Sequence, residues 1–233
     1  MIKVQANSET LQKNMNFFFK DTSLLTKALT HSSYVNENGL KANDSNERLE
    51  FLGDAVLGLV IGEFYFKKYE DDNEGELSKL RSSTVNEHIL SIVANKIRLG
   101  EALYFGRGEI KNGGKNRESI LADALEAVIG AIFLDSSFET ARKVILDLFK
   151  DLFRSVECID RDYKTKLQEV VQKDASTIKY ILIDEYGPDN NKTFHSSVLI
   201  SGKLYGKGMG KTKKKSEQMA AFEALKILGE GNV

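Results

Sequence analysis

The sequence predicts a two-part protein: an all-α front segment, then a small α+β domain of order α-β-β-β-α. Three observations predict it. Residues 1–157 carry apolar residues at helical spacing, with no Pro and no alternating strand pattern. Beyond them come short runs rich in β-branched and aromatic residues, with turn signals between. The charge balance also changes there. Asp160–Val233 holds 13 basic and 10 acidic residues, whereas the preceding residues hold 20 and 24. An acidic front and a basic back point to two modules with different tasks.

Length and composition bound the rest. A chain of 233 residues is long enough for one or two domains and for a sizeable core. Its 41% apolar content, with 18 Gly, is ordinary for a globular protein and excludes wholesale disorder. One Cys excludes an intrachain disulfide framework and a Cys-rich zinc site, and fits a reducing cytosol. No apolar run reaches the ~18 residues a membrane span needs. The first residues lack the apolar core of an export signal. The expected location is therefore cytoplasmic, with no membrane partner.

In the front segment, helices are expected near Ser23–Ser33, Asn46–Tyr69, Glu74–Asn95, Ser119–Leu134 and Phe138–Phe153. Polar or Gly-rich breaks at Asn36–Asn46 and Gly106–Asn116 separate them. Polar residues 158–162 read as a linker, and 163–233 as the second domain. That domain opens with a short helix over Asp162–Lys173. Strands follow at Ile178–Glu185, Thr193–Ser201 and Lys203–Gly208. Gly187–Asn191, with the single Pro188, is a loop, and Ser201-Gly202 is a turn. A last helix over Lys213–Leu228 ends at Gly229, a residue suited to a helix C-cap.

The most informative segment is Asn46–Ile61. At ~100° per residue, Glu47, Glu50 and Asp54 fall within an arc of about 60°. From Leu49 to Ile61 every other residue is apolar or Gly, the pattern of a helix buried nearly all round. Ile120–Leu134 repeats the logic, with Asp123 and Glu126 as its only charges, three apart on one face. Carboxylates on core-like rods need compensation, from protein cations or from metal ions. These segments hold Arg48 but no set of four basic partners. All-oxygen ligands without His favour Mg²⁺ or Mn²⁺ over zinc. The bland alternative is a solvated acidic helix face. A di-iron bundle would want Glu-x-x-His pairs, but Ala28, Val85 and Lys192 stand three before His31, His88 and His195.

In the back segment, Lys211–Ala221 places lysines at the start of a helix, where N–H groups and the helix dipole already favour phosphate. Gly210-Lys211-Thr212 looks like the end of a nucleotide-binding loop, but Tyr205 stands where its first Gly belongs. No nucleotide cofactor is expected.

With these residues in view, the chain resembles bacterial ribonuclease III. The matching segments are Asn46–Asp54 (NERLEFLGD), Glu118–Gly130 and Ala28–Tyr34. The back segment is similar to a double-stranded-RNA-binding domain through Tyr163–Glu169, Gly187-Pro188-Asp189 and the lysine-led helix. Ser32 stands where that family often has Arg. The resemblance implies an all-helical endonuclease domain that forms a homodimer and cuts double-stranded RNA with Mg²⁺, Mn²⁺ being a substitute. Its products would carry 5′-phosphate and 3′-hydroxyl ends with short 3′ overhangs. Its targets would include ribosomal RNA precursors and other transcripts, messenger and transfer RNAs among them.

The resemblance also assigns residues. Asp54 and Glu126 match the catalytic pair; Glu50, Asp123 and Glu126, with Asp54, match the metal-binding positions. Glu47 and Glu74 match accessory acidic positions, and Phe51 a dimer contact. Gln168, Glu169, Pro188, Asn190 and His195 would reach the minor grooves of the duplex; Lys213, Lys214 and Lys215 would meet the phosphates between them. His31 and His88 are read as structural. Two other classes remain open at this stage: a non-cutting duplex-RNA scaffold, and a protein-only interaction module.

Overall fold

A computed structural model of the chain describes residues 2–160, 163–172, 176–188 and 192–229. It divides into two compact units, Met1–Phe153 and Arg154–Val233.

The first unit is helical throughout. Its elements are α1 (Ile2–Met15), α2 (Thr22–Ala28), α3 (Ser32–Glu37), α4 (Glu47–Lys68), α5 (Glu74–Thr84), α6 (Glu87–Lys96), α7 (Arg107–Lys111) and α8 (Glu118–Asp135), followed by α9 (Phe138–Asp160). Local capping chemistry sets several of these boundaries. The expected Ser23–Ser33 helix is broken into α2 and α3, because His31 turns extended and caps a new helix, its side chain accepting from Ser33 N–H. The expected Glu74–Asn95 helix is split likewise. The Asn86 side chain accepts from Ile89 N–H at 3.0 Å and starts α6. Asn73 and Glu76 form a reciprocal capping box at the start of α5. Helix α9 runs to Asp160, into the first residues of the expected linker; residues 161–162 lie outside the described residues.

Helix α8 is the centre of this unit. Leu121, Ala124, Leu125, Ala127 and Val128 are wholly buried on it, against Leu57, Val60 and Ile61 of α4 and Val93 and Ala94 of α6. Each large apolar side chain so buried contributes about 1.5–3 kcal/mol. A buried Tyr65–Thr84 hydroxyl pair at 2.8 Å ties α4 to the end of α5.

The expectation that α4 is buried nearly all round does not hold. Phe51, Leu59 and Phe66 are 81%, 60% and 69% exposed. Their ~100° spacing gathers them on one side of the helix. The Leu49–Ile61 pattern is apolar because α4 has two apolar sides, only one of which meets the core.

The second unit has the expected order: α10 (Tyr163–Gln172), β1 (Ile178–Tyr186), β2 (Thr193–Ile200), β3 (Lys203–Gly210) and α11 (Lys213–Ile227). The sheet is antiparallel in the order β1-β2-β3. Ser201 (φ 47°) and Gly202 (φ 80°) join β2 to β3, the double positive φ of a two-residue hairpin turn. Tyr163 and Leu167 of α10, Val198 and Ile200 of β2, and Ala221, Phe222 and Leu225 of α11 form a separate small core. Helix α11 lies directly on β3 because Gly206 and Gly208 face it. A Cβ on either would come within 2.2–2.3 Å of α11 backbone atoms. Gly229 takes φ 80° just past α11, as a C-terminal cap requires. Among the described residues no helix is long and apolar enough to cross a membrane.

Candidate active site

The site is set by the crossing of α4 and α8, and the crossing is set by two glycines. A Cβ on Gly53 would lie 1.7 Å from the Glu126 carbonyl oxygen; one on Gly130 would lie 2.3 Å from that of Leu49. Only hydrogen at both positions lets the backbones approach this closely. The approach brings together carboxylates flanking the glycines in sequence. Glu50, Asp123 and Glu126 each offer a carboxylate oxygen, all within 4.8 Å of one another.

The fourth expected residue, Asp54, stands one turn beyond Glu50. It is exposed and lies outside that three-oxygen group, but its charge acts on both Glu50 and Glu126. Glu47, at the start of α4, is exposed and also acts on Glu50. Glu74 begins α5, accepts from Ser78 Oγ at 2.9 Å, and is not part of the group.

Electrostatically the group is starved of positive charge. Burial, then Asp54, Glu50 and Asp123, push the Glu126 carboxyl up to about 8. Burial raises Glu50 too, with Asp123, Glu47 and Asp54 adding to it. Asp123 is raised by burial and by Glu87; His31 alone opposes. No Lys or Arg is among these influences. A cluster of hard oxygen donors that repel one another and lack a protein cation fits a divalent ion such as Mg²⁺ or Mn²⁺. The protein-cation alternative is not what the fold builds.

Sequence reasoning missed Gly53, Gly130 and Glu87. The glycines had a readable signal: each interrupts an otherwise strong helix former run, at a cost of about 0.5–1 kcal/mol relative to Ala. Glu87 had none, since it sits on α6, far along the chain.

In the second unit, Lys213 and Lys214 are exposed and Lys215 half-buried in the first turn of α11. Thr212 caps that turn, accepting from Lys215 N–H at 3.2 Å. Lysines at a helix N-terminus oppose the dipole, so local stability does not explain them. Gln168 and Glu169 are exposed on α10, and Pro188 is exposed after β1. Asn190 lies outside the described residues. His195 is in β2, opposite Asp184 and Met209. Its ring is 5.1 Å from that of Tyr186, and its Nε2 is buried without a hydrogen-bond partner.

Residues 21–152 match the family described as Ribonuclease-III-like. The chain belongs to the ribonuclease III family. Residues 163–228 match the double-stranded RNA binding motif, which completes the expected two-domain order. Among curated relatives, "Ribonuclease 3" of Caldanaerobacter subterraneus subsp. tengcongensis is 52% identical over 222 residues, covering 94% of this chain and 97% of its own. "Ribonuclease 3" of Desulforamulus reducens is 45% identical, covering 98% and 94%. The crystal structure of the ribonuclease III nuclease domain of Campylobacter jejuni is similar to the first unit. It is 48% identical, with a TM-score of 0.57, covering 62% of this chain and 95% of that one. This ribonuclease III chain is therefore an endoribonuclease of the family that acts on double-stranded RNA, and its acidic group could hold a metal ion.

Proposed function

We propose that this protein is a Mg²⁺-dependent, homodimeric endonuclease that hydrolyses both strands of an RNA duplex. It leaves 5′-phosphate and 3′-hydroxyl ends with short 3′ overhangs, and matures ribosomal RNA precursors and other transcripts in the cytoplasm. The observation that carries the reading is the convergence of Glu50, Asp123 and Glu126 within 4.8 Å.

Glu50, Asp123 and Glu126 grip the divalent ion, Mn²⁺ serving where Mg²⁺ is absent. A bound ion there supplies Lewis-acid neutralisation of the phosphodiester and lowers the pKa of water. Glu126 must release its proton before it can serve as a ligand, because its carboxyl is pushed up to about 8. In this reading Asp54, exposed one turn along α4, orients and deprotonates the attacking water. Glu47 and Glu74 act at the rim. No Ser, Cys or His nucleophile is called for, so no covalent enzyme intermediate forms.

The second unit supplies grip. Lys213, Lys214 and Lys215 meet phosphates across the major groove, while Gln168, Glu169 and the Pro188–Asn190 loop reach the flanking minor grooves. His195, whose ring lies 5.1 Å from that of Tyr186, is the remaining minor-groove contact of this reading. Dimerisation is supported by the open apolar side of α4 that carries Phe51, Leu59 and Phe66. A Campylobacter jejuni nuclease-domain structure, 48% identical with a TM-score of 0.58, is itself described for a region involved in dimer formation.

The test is cleavage of a perfect RNA duplex with Mg²⁺ or EDTA, with the ends mapped. Cutting that requires the metal, leaves 5′-phosphates, and vanishes in Glu126→Gln is the expected result. Undiminished cutting by Glu126→Gln, or cutting in EDTA, overturns the assignment.

A further inference from the structure

Three consecutive polar residues directly after the lysines tie the head of α11 to the rest of its unit. Ser216 is buried, its Oγ 2.7 Å from Ser196 Oγ of β2. Glu217 accepts from Lys164 Nζ at 2.7 Å, and Gln218 accepts from Lys164 N–H at 3.0 Å. The last two bonds end on one residue, in the first turn of α10. Gln218 is buried and Glu217 half-buried. The Lys164 ammonium also lies over the Tyr180 ring of β1, 4.4 Å from its centroid.

Stability does not call for these bonds. Tyr163 and Leu167 of α10 already bury with Phe222 and Leu225 of α11, the Tyr163 and Phe222 rings 4.9 Å apart between centroids. A partly exposed ion pair adds little, because ordering two long side chains offsets a modest Coulomb gain. The Lys164 N–H, in a turn without intrahelical partners, would be served as well by water. What the bonds add is register. Apolar burial is non-directional, so helices packed on it alone can slide or turn. A hydrogen bond to one N–H is directional and fixes the two helix heads against each other.

Lys164 is also a basic side chain one turn before Gln168, on the same face of α10. Both border a cleft of about 340 Å³ with Ser176, Ile178 and Tyr180. By position alone Lys164 reads as one more phosphate contact. Its partners say otherwise, since Glu217 and the Tyr180 ring already engage the ammonium.

We propose that Glu217 and Gln218 are positioning residues for duplex binding. Through Lys164 they fix the head of α10 against that of α11. This sets the spacing between the lysines that meet phosphates and the Gln168–Glu169 turn that reaches the minor groove. Lys164 is the tie and makes no phosphate contact. The inference rests on the duplex-grip reading above. A grip spanning a minor groove and the adjoining phosphates is tight only when its two parts are held in advance at the matching distance.

The test is binding of the full-length protein to a perfect RNA duplex in EDTA, across a range of salt and well below the melting temperature. Gln218→Met keeps the bulk and removes the acceptor; Lys164→Met keeps the stem and removes the ammonium. Each should weaken binding about tenfold. Each should keep the wild-type salt slope of log K, whereas Lys213→Ala should reduce that slope by about 1. Gln218→Glu, which restores an acceptor, should recover most of the lost affinity.

A salt slope reduced by about 1 in Lys164→Met makes Lys164 a phosphate contact and overturns the inference. Wild-type affinity in both Met variants, whatever their melting temperatures, reduces the bonds to packing and overturns it with the grip reading intact. No recovery in Gln218→Glu overturns the part given to the Gln218 acceptor. If Gln218→Met fails to fold, Lys164→Met, at a half-buried position, carries the test. Wild-type binding by both Lys213→Ala and Gln168→Ala sinks the grip reading itself.

Discussion

Gly53 and Gly130 face each other across the α4–α8 crossing, so closely that a Cβ on either would fall about 3 Å from the other's amide nitrogen (3.0 and 3.1 Å). This contact, not the carboxylates themselves, sets the distance between the two acidic stripes. Gly53→Ala would drive a methyl into the Glu126 carbonyl, where backbone on both sides leaves nothing to yield cheaply. Overpacking of this kind costs about 1–3 kcal/mol or more. We expect a lower melting temperature and a loss of metal-dependent cleavage larger than the stability loss explains. Gly108→Ala, exposed on α7 with open space around its Cβ, is the control and should leave both unchanged. Full activity in Gly53→Ala would refute the role given to the crossing.

Glu126 makes stability depend on pH in an unusual direction. Its folded pKa is raised from 4.5 to about 8, so between those values the folded metal-free protein binds more protons than the unfolded chain. The contribution of this group is therefore fully present below about pH 4.5 and declines as pH rises toward 8. Melting in EDTA should fall across that window, and Glu126→Gln should flatten the decline and raise the melting temperature at pH 8. Mg²⁺ competes with the same proton, so its apparent affinity should increase from pH 6 to pH 8. A stabilisation by Glu126 that grows with pH in EDTA would contradict the burial and charge argument.

The exposed apolar side of α4 has a simple consequence for assembly. Phe51→Asp places a charge at one end of it, and Phe66→Asp at the other, about four turns on. Either should convert a dimer to a monomer of half the mass by light scattering at micromolar concentration, with little change in the helical signal. A wild-type chain that is monomeric, or variants that stay dimeric, would assign that face to something else.

The lysines at the head of α11 should act on affinity far more than on chemistry. Lys213→Ala and Lys214→Ala should each weaken duplex binding and reduce the salt slope of log K by about 1, as expected for a lost phosphate contact. At saturating RNA the cleavage rate should stay near wild type. Substitutions that leave the salt slope untouched would remove these lysines from the interface.

Much of this protein is local and so readable in advance. Helix period, turn chemistry and the switch to β-branched runs mark the two modules. The i, i+4 and i, i+3 spacings place Glu50 with Asp54 and Asp123 with Glu126 on single helix faces. The breaks at His31 and Asn86 were missed because cap chemistry and tertiary anchoring overrode a continuous helical pattern.

What sequence by itself determined is which side chains share a face of one element, because 3.6-residue and two-residue periods are properties of the backbone. Only the tertiary structure decided which faces meet. It chose Glu50, Asp123 and Glu126 as the converging set, left Asp54 outside it, and opened the Phe51 side of α4. Those outcomes depend on how closely two backbones approach, and that distance is fixed by packing between residues more than seventy positions apart, such as Gly53 and Gly130.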